Sequence, residues 1–295
     1  MCGASNMCVQ HWDFQFCRLF LGPGLVIYPS RDYLDTRQMR RRDKVYTGSQ
    51  EKIPFMKEQE VVIEAFTELA PRYEEVVDNE LNRFWGWSYA GFVDRLIELT
   101  PISDGDFILD LATGTSVIPR RLVERVKKEY QVVGLDITAR MLKRGKEKID
   151  QDKANINIHL TCGDAMVMPF SKESFNVVMC GLATHHMNVP RMLSEIKRVL
   201  KSGGRISIAD AGGSRLWHLS VIKVLIRAAA FLYFLAVENI SRAWAEAAAV
   251  SNIRTADEWN TLLSELGFID IRITKLPSKR FWTPDPLVLE ATKSS

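Results

Sequence analysis

Between Phe107 and Gly181, short apolar runs that end on a carboxylate or a glycine alternate with stretches of helical period. Phe107-Ile-Leu-Asp-Leu111 is the first run and Gln131-Val-Val-Gly-Leu-Asp136 the second. Asn155 to Leu160 ends near Gly163-Asp164, Phe175 to Met179 ends near Cys180-Gly181, and Arg205 to Ala209 makes a fifth. The segments between them carry 3.6-residue periodicity: Val117 to Glu129, the stretch through Met141, Leu142, Gly145 and Ile149, and Arg191 to Leu200, which stops at Lys201-Ser-Gly-Gly204. Strands that alternate with helices specify a parallel sheet, because a right-handed crossover needs a helix between successive parallel strands. Ile269 to Thr274 and Leu287 to Thr292 read as a closing antiparallel pair. The expected fold is α/β: a doubly wound, mostly parallel, seven-stranded Rossmann-like sheet with an antiparallel C-terminal strand.

On such a sheet ligands bind beyond the carboxyl ends of the strands, where a following helix begins with free backbone N–H groups. Phe107 to Ser116 is strand, tight turn and helix start in one stretch, so Asp110 and Gly114 fall at that place. A nucleotide-like cofactor is the expectation, and Gly114 would allow a close backbone approach that a Cβ would block. No P-loop is present.

Residues flanking the sheet are helical. Val61, Val62, Ala65, Phe66 and Leu69 repeat on one face from Glu60 until Pro71, and Phe92 to Leu99 forms a second amphipathic stretch before Thr100-Pro101. The aromatic residues between them, Phe84, Trp85, Trp87 and Tyr89 with Phe92, are expected either to pack helices on the sheet or to wall an apolar acceptor pocket. Leu216 to Val250 interrupts the rhythm after the fifth strand; it predicts a helical lid over 215–250, with buried apolar helices. Lys223, Arg227 and Glu238 within it argue against a membrane span. Thr255-Ala-Asp-Glu258 has the pattern of a helix start that leads to a stop at Gly267. Residues 1–55, with Gly22-Pro-Gly24 and the basic cluster Arg37, Arg40, Arg41, Arg42 and Lys44, read as a flexible extension, and 56–295 as the folded domain.

Charge and cysteine content narrow the function classes. The net charge of +3, from 39 basic and 36 acidic side chains, is too balanced to mark a nucleic-acid surface. Cys2, Cys8, Cys17, Cys162 and Cys180 make an odd set with no Cys-x-x-Cys pair and no companion histidine at ligand spacing, which points to a reducing, cytoplasmic setting and to no metal. Asp13 breaks the apolar N-terminal residues, so no secretory signal is expected.

Taken in order, Asp110-Leu-Ala-Thr-Gly114, Asp136, Gly163-Asp164 and Leu200-Lys-Ser-Gly-Gly204 resemble the class I S-adenosylmethionine-dependent methyltransferases. Phe66-Thr-Glu-Leu-Ala-Pro-Arg-Tyr73 and Arg198-Val-Leu-Lys-Ser-Gly-Gly-Arg205 look most like the ubiquinone/menaquinone-biosynthesis C-methyltransferase family, and the resemblance covers roughly residues 60 to 210. It implies S-adenosyl-L-methionine as cofactor. Asp110 would help hold its amino acid end, Asp136 would accept from both ribose hydroxyls and Asp164 from the adenine amino group, with Ile137 and Met141 over the adenine faces. By the same resemblance Tyr73, Ala112, Thr113, Gly114, Ala165, Cys180 and Gly181 join the cofactor site. Ser116 stands where the family carries glycine; a serine there is expected to cap the next helix and to add bulk near the methionine moiety.

Methyl transfer to carbon or to a phenolic oxygen requires loss of a proton from the acceptor, so a base matters. His185 and His186 lie just past the fourth strand and are the catalytic candidates, a histidine near its ordinary pKa being suited to the task. The expected reaction is methylation of a hydrophobic small-molecule acceptor, at carbon of a quinol, terpenoid or polyketide-like compound. O- or N-methylation of a small molecule or lipid, and a non-methylating cofactor-binding protein, are the alternatives. Nucleic acid is disfavoured as a partner, because Cys180-Gly-Leu-Ala183 stands where an Asn/Asp-Pro-Pro-aromatic motif would align a base. Peripheral membrane contact and a homodimer are both compatible with the apolar insertion.

Overall fold

The apolar runs become strands in a single sheet. A computed structural model describes residues 52–152, 157–280 and 283–294. The basic cluster at 37–44, Cys2, Cys8, Cys17 and nearly all of the N-terminal extension lie outside the described residues, as does Asn155. In chain order the elements are α1 (Lys52–Leu69), α2 (Tyr73–Trp85), α3 (Tyr89–Leu99), β1 (Asp106–Leu111), α4 (Val117–Arg125), β2 (Tyr130–Asp136), α5 (Ala139–Gln151), β3 (Ile158–Cys162) and β4 (Phe175–Gly181). They continue with α6 (Val189–Val199), β5 (Leu200–Asp210), α7 (Ser220–Val237), α8 (Ile240–Ala249), α9 (Ala256–Glu265), β6 (Phe268–Lys275) and β7 (Leu287–Lys293).

The strand order is β3-β2-β1-β4-β5-β7-β6. β1, β2, β3, β4 and β5 pair in parallel, and β7 runs antiparallel between β5 and β6. The order reverses between β1 and β4, and that switch point opens a crevice at the strand carboxyl ends. Ile108, Leu109 and Leu111 are fully buried, as expected of a strand covered by helices on both faces. On α6, Met192, Leu193, Ile196 and Val199 form the inward stripe, and Asn188 caps it by accepting from the Arg191 N–H. The Thr255 start is a full capping box with Glu258, as its sequence pattern predicts.

Some elements differ from expectation, each for a local reason. α2 stands beyond the helical stretch expected to end at Pro71, with Tyr73, Val77 and Leu81 buried on one face. α4 ends at Arg125 rather than Glu129, because Lys127, Lys128 and Glu129 offer no apolar face to the core. β3 runs to Cys162, beyond the expected Leu160. Lys201 to Gly204, expected as a turn, belongs to β5: Leu200 pairs with Phe175, then the register shifts before Arg205 meets Val177, with Gly203 at φ +71°.

The insertion corrects the sequence reading. It is helical, as α7 and α8, but α7 is not buried: Phe234 is its one buried side chain, while Val221, Val224, Leu225 and Leu232 are exposed. Nor do Lys223 and Arg227 disqualify it by composition, since Ser220–Val237 is long and apolar enough to cross a membrane. The aromatic group is also corrected as a pocket wall. The Trp85 indole N–H donates to the Pro284 carbonyl at 2.8 Å, that of Trp87 donates to the Pro277 carbonyl at 3.0 Å, and Phe92 is in the core. These residues fasten the N-terminal helices to the segment before β7.

Candidate active site

A cavity of about 210 Å³ occupies the crevice at the ends of β1, β2 and β4. Of the residues nominated from sequence, Tyr73, Ala112, Gly114, Asp136, Ile137, Met141, Asp164, Ala165 and His186 line it. Asp110, Thr113, Cys180, Gly181 and His185 do not. Gln59, Val62, Phe66, Met187 and Asn252 complete much of the wall and were not anticipated; Val62 signalled only helix packing, and Phe66 that and the family's N-terminal signature.

Two carboxylates are fixed by backbone donors. Asp136, at the end of β2, accepts the Gly114 N–H at 2.8 Å and the Thr138 N–H at 2.7 Å. Burial raises its pKa despite these two bonds. Asp164 accepts the Met166 N–H at 2.8 Å through one oxygen and the Gln59 amide at 3.1 Å through the other. Asp110 is different: it is fully buried and has no backbone donor like those that hold the other two. Burial pushes its pKa up to about 8, opposed by the Thr113 hydroxyl and reinforced by Asp136.

The loop after β1 is wound tightly. Ala112, Gly114 and Ser116 all have positive φ, at 51°, 54° and 64°. For the two non-glycine residues such a conformation costs on the order of 1 kcal/mol each, a strain that concentrates at functional loops. Ser116 does not behave as expected. Its hydroxyl makes no cap bond and is buried without a partner. It faces α5 rather than the cavity: a Cβ added at Gly145 would stand 2.4 Å from its Oγ. Serine bulk therefore falls on the helix side of the loop.

Comparison with known proteins bears on the fold and on its central part. A family model described as a methyltransferase domain matches residues 108–204. The chain is 33% identical over 152 residues to a demethylmenaquinone methyltransferase of Lactobacillus johnsonii, covering 50% of this chain and 60% of that protein. It is 34% identical over 165 residues to one of Symbiobacterium thermophilum, covering 56% and 64%. The matched stretch thus spans less than two thirds of these relatives' length. Among solved structures, a SAM-dependent methyltransferase from Aquifex aeolicus shares the fold with a TM-score of 0.52 at 14% identity, over 76% of this chain and 98% of that one. Haemonchus contortus phosphoethanolamine N-methyltransferase 2 in complex with S-adenosyl-L-methionine gives 0.54 at 16%, over 78% and 60%. Residues 108–204 thus match a methyltransferase domain.

Within this methyltransferase domain the two histidines have different surroundings. His185 turns toward β5, with its Nδ1 2.6 Å from an Asp210 oxygen, and its carbonyl accepts the Asn252 amide at 3.0 Å. Burial disfavours its cation, but Asp210 outweighs burial and the pKa is raised. Asp210 also accepts from the Thr184 and Ala211 N–H groups, so this histidine is pinned to the strand end. His186 lines the cavity. Burial and the neighbouring His185 lower its pKa, with Glu246 opposing, so its ring is neutral at pH 7. Its Nε2 is 3.4 Å from Glu246, and its Nδ1 is buried with no partner.

Glu246 comes from α8 and had no sequence signal beyond lying in the insertion. It pairs with buried Arg242 at 3.0 Å, and Arg242 reaches Glu80 of α2 at 3.2 Å. Burial pushes Glu80 up to about 7 against the pull of Arg242. The Arg242 guanidinium also lies over the rings of Phe66 and Phe234, at 4.9 and 5.4 Å. Ligand-type atoms of His185, His186 and Glu246 fall within 4.8 Å of one another, and the cation among these groups is Arg242 itself.

Proposed function

We propose that this protein transfers a methyl group from S-adenosyl-L-methionine to carbon of a hydrophobic small molecule, with an isoprenoid quinol ring the best-supported acceptor class. The observation that carries the reading is one cavity bounded at one side by Asp136, Asp164 and Gly114 and at the other by a neutral, buried His186 among Val62, Phe66 and Met187. The likeness to demethylmenaquinone methyltransferases supports the quinol.

The residues suit the cofactor. Asp136 keeps lone pairs beyond those used by Gly114 and Thr138, which ribose hydroxyls can fill. Asp164, which also lines the cavity, is the acceptor for the adenine amino group. When bound, the cofactor supplies an electrophilic methyl group on sulfonium sulfur.

The chain's own contribution is alignment and proton transfer. A ring carbon that gains a methyl group must lose its hydrogen as a proton. His186 accepts that proton at Nδ1, while Glu246 holds the Nε2 side and stabilises the imidazolium that forms. His185, bound to Asp210, fixes the short helical turn Thr184–His186 that carries His186.

The test is incubation of the purified protein with methyl-labelled cofactor and demethylmenaquinol, followed by mass spectrometry. Label on a ring carbon is expected. Label on oxygen or nitrogen would overturn the acceptor chemistry, and cofactor binding without transfer to any compound of a cell extract would overturn the enzyme reading.

A further inference from the structure

Helix α7 presents an apolar stripe that nothing in the domain covers. Val221, Val224, Leu225, Leu232 and Leu235 recur at i, i+3, i+4, i+11 and i+14, and the first four are 72%, 64%, 62% and 64% exposed. Exposed Leu216 and Leu219 continue the patch before the helix. Lone exposed leucines are ordinary on protein surfaces; a contiguous stripe along an 18-residue helix is not.

The opposite face of α7 is engaged. Phe231 meets Trp244 of α8 with ring centroids 4.7 Å apart, Tyr233 meets Phe84 of α2 at 5.5 Å, and buried Phe234 packs under Arg242. A helix held along one side in this way is placed to lie on an apolar surface rather than to thread through one. Its charges choose the surface. α7 contains Lys223 and Arg227, one turn apart, and no acidic residue. Basic side chains beside an apolar face let their stems follow the acyl region while the charged ends reach headgroup phosphates.

We infer that α7 is a monotopic docking element that lies in the interface of an anionic lipid bilayer, with its stripe among the acyl chains and Lys223 and Arg227 at the phosphates. This goes beyond the methyl-transfer reading and does not depend on it. α8, which packs against α7, also supplies Glu246 beside His186, so the docked face is one helix away from the cavity.

The experiment is co-sedimentation of the full chain with phosphatidylcholine vesicles with and without phosphatidylglycerol, in the absence of any substrate. Binding to the anionic vesicles is expected to exceed binding to neutral ones by on the order of tenfold. Leu225→Ser with Leu232→Ser should weaken it by at least about tenfold while cofactor affinity, measured by calorimetry, stays unchanged as proof of folding. Should that pair unfold the domain, Lys223→Gln with Arg227→Gln provides the second arm and should abolish the preference for anionic lipid. A chain that stays in the supernatant with both kinds of vesicle overturns the inference. So does a stable dimer by light scattering that the leucine pair converts to monomer without any vesicle binding, because the stripe would then cover a second copy.

Discussion

The two sides of the cavity are built by different means. On the cofactor side, short-range backbone geometry does the positioning: Asp136 accepts N–H groups from Gly114 and Thr138, and Asp164 accepts one from two residues ahead. On the acceptor side, side chains from distant segments converge: His186 follows β4, Glu246 and Arg242 come from α8, Phe66 from α1 and Glu80 from α2. The first kind of site is fixed once the sheet forms. The second exists only when the insertion is docked, so binding and turnover should be separable by mutation.

The largest effect should come from the cofactor side. Asp136→Ala removes the acceptor for two N–H groups as well as for a ligand, and should weaken S-adenosylmethionine binding by about a hundredfold or more in calorimetry. If affinity were kept, the backbone-built side would not be the cofactor side. On the acceptor side, His186→Gln should cut turnover at least about tenfold with cofactor affinity intact. Wild-type rates in that variant would remove His186 from the reaction. Glu246→Gln gives a finer reading of the same pair. Since Glu246 raises the His186 pKa and the base must be neutral, the acidic limb of the pH–rate profile should move to lower pH in this variant.

Asp110 joins the comparison through the backbone donors it lacks. Its folded pKa of about 8 lies above the ordinary carboxyl value, so the folded state holds a proton that the unfolded chain releases. Its contribution to stability therefore falls as pH rises from the ordinary carboxyl range toward 8. Asp110→Asn should flatten that fall and raise the melting temperature at pH 8 by about 5 °C. The smallest effect belongs to Ser116→Gly, which relieves a left-handed serine but frees the unfolded chain: a gain below about 1 kcal/mol in denaturant unfolding, with cofactor affinity unchanged. An affinity change above about tenfold would return Ser116 to the cavity.

This division also governs how much the sequence discloses. The succession of strands and helices, the carboxylates at strand ends and the Thr255 cap depend on local pattern, and each is legible in a window of a few residues. α2 has such a pattern too, in Tyr73, Val77, Leu81 and Phe84, but Pro71 just before it reads as the end of helical structure. Ser116 reads as a cap from composition, but its φ of 64° turns the hydroxyl away from the helix N–H groups. The aromatic residues from Phe84 to Phe92 announce packing without saying against what, and their partners, Pro277 and Pro284, lie almost two hundred residues on. Burial of the insertion could not be read either. An apolar helix in the core and one with a bare stripe have the same composition, and only the neighbours decide between them.

Ser116 and Gly145 share one small volume, since the loop after β1 and helix α5 meet there with no room for a further carbon. The two positions therefore cannot drift independently. A chain that first exchanges Ser116 for glycine eases the way for a methyl group at 145, although the Thr115 backbone still crowds it at 3.1 Å. One that first gains the methyl group drives α5 off the loop that presents Gly114 to Asp136. Sequence change at this corner of the molecule has a permitted order.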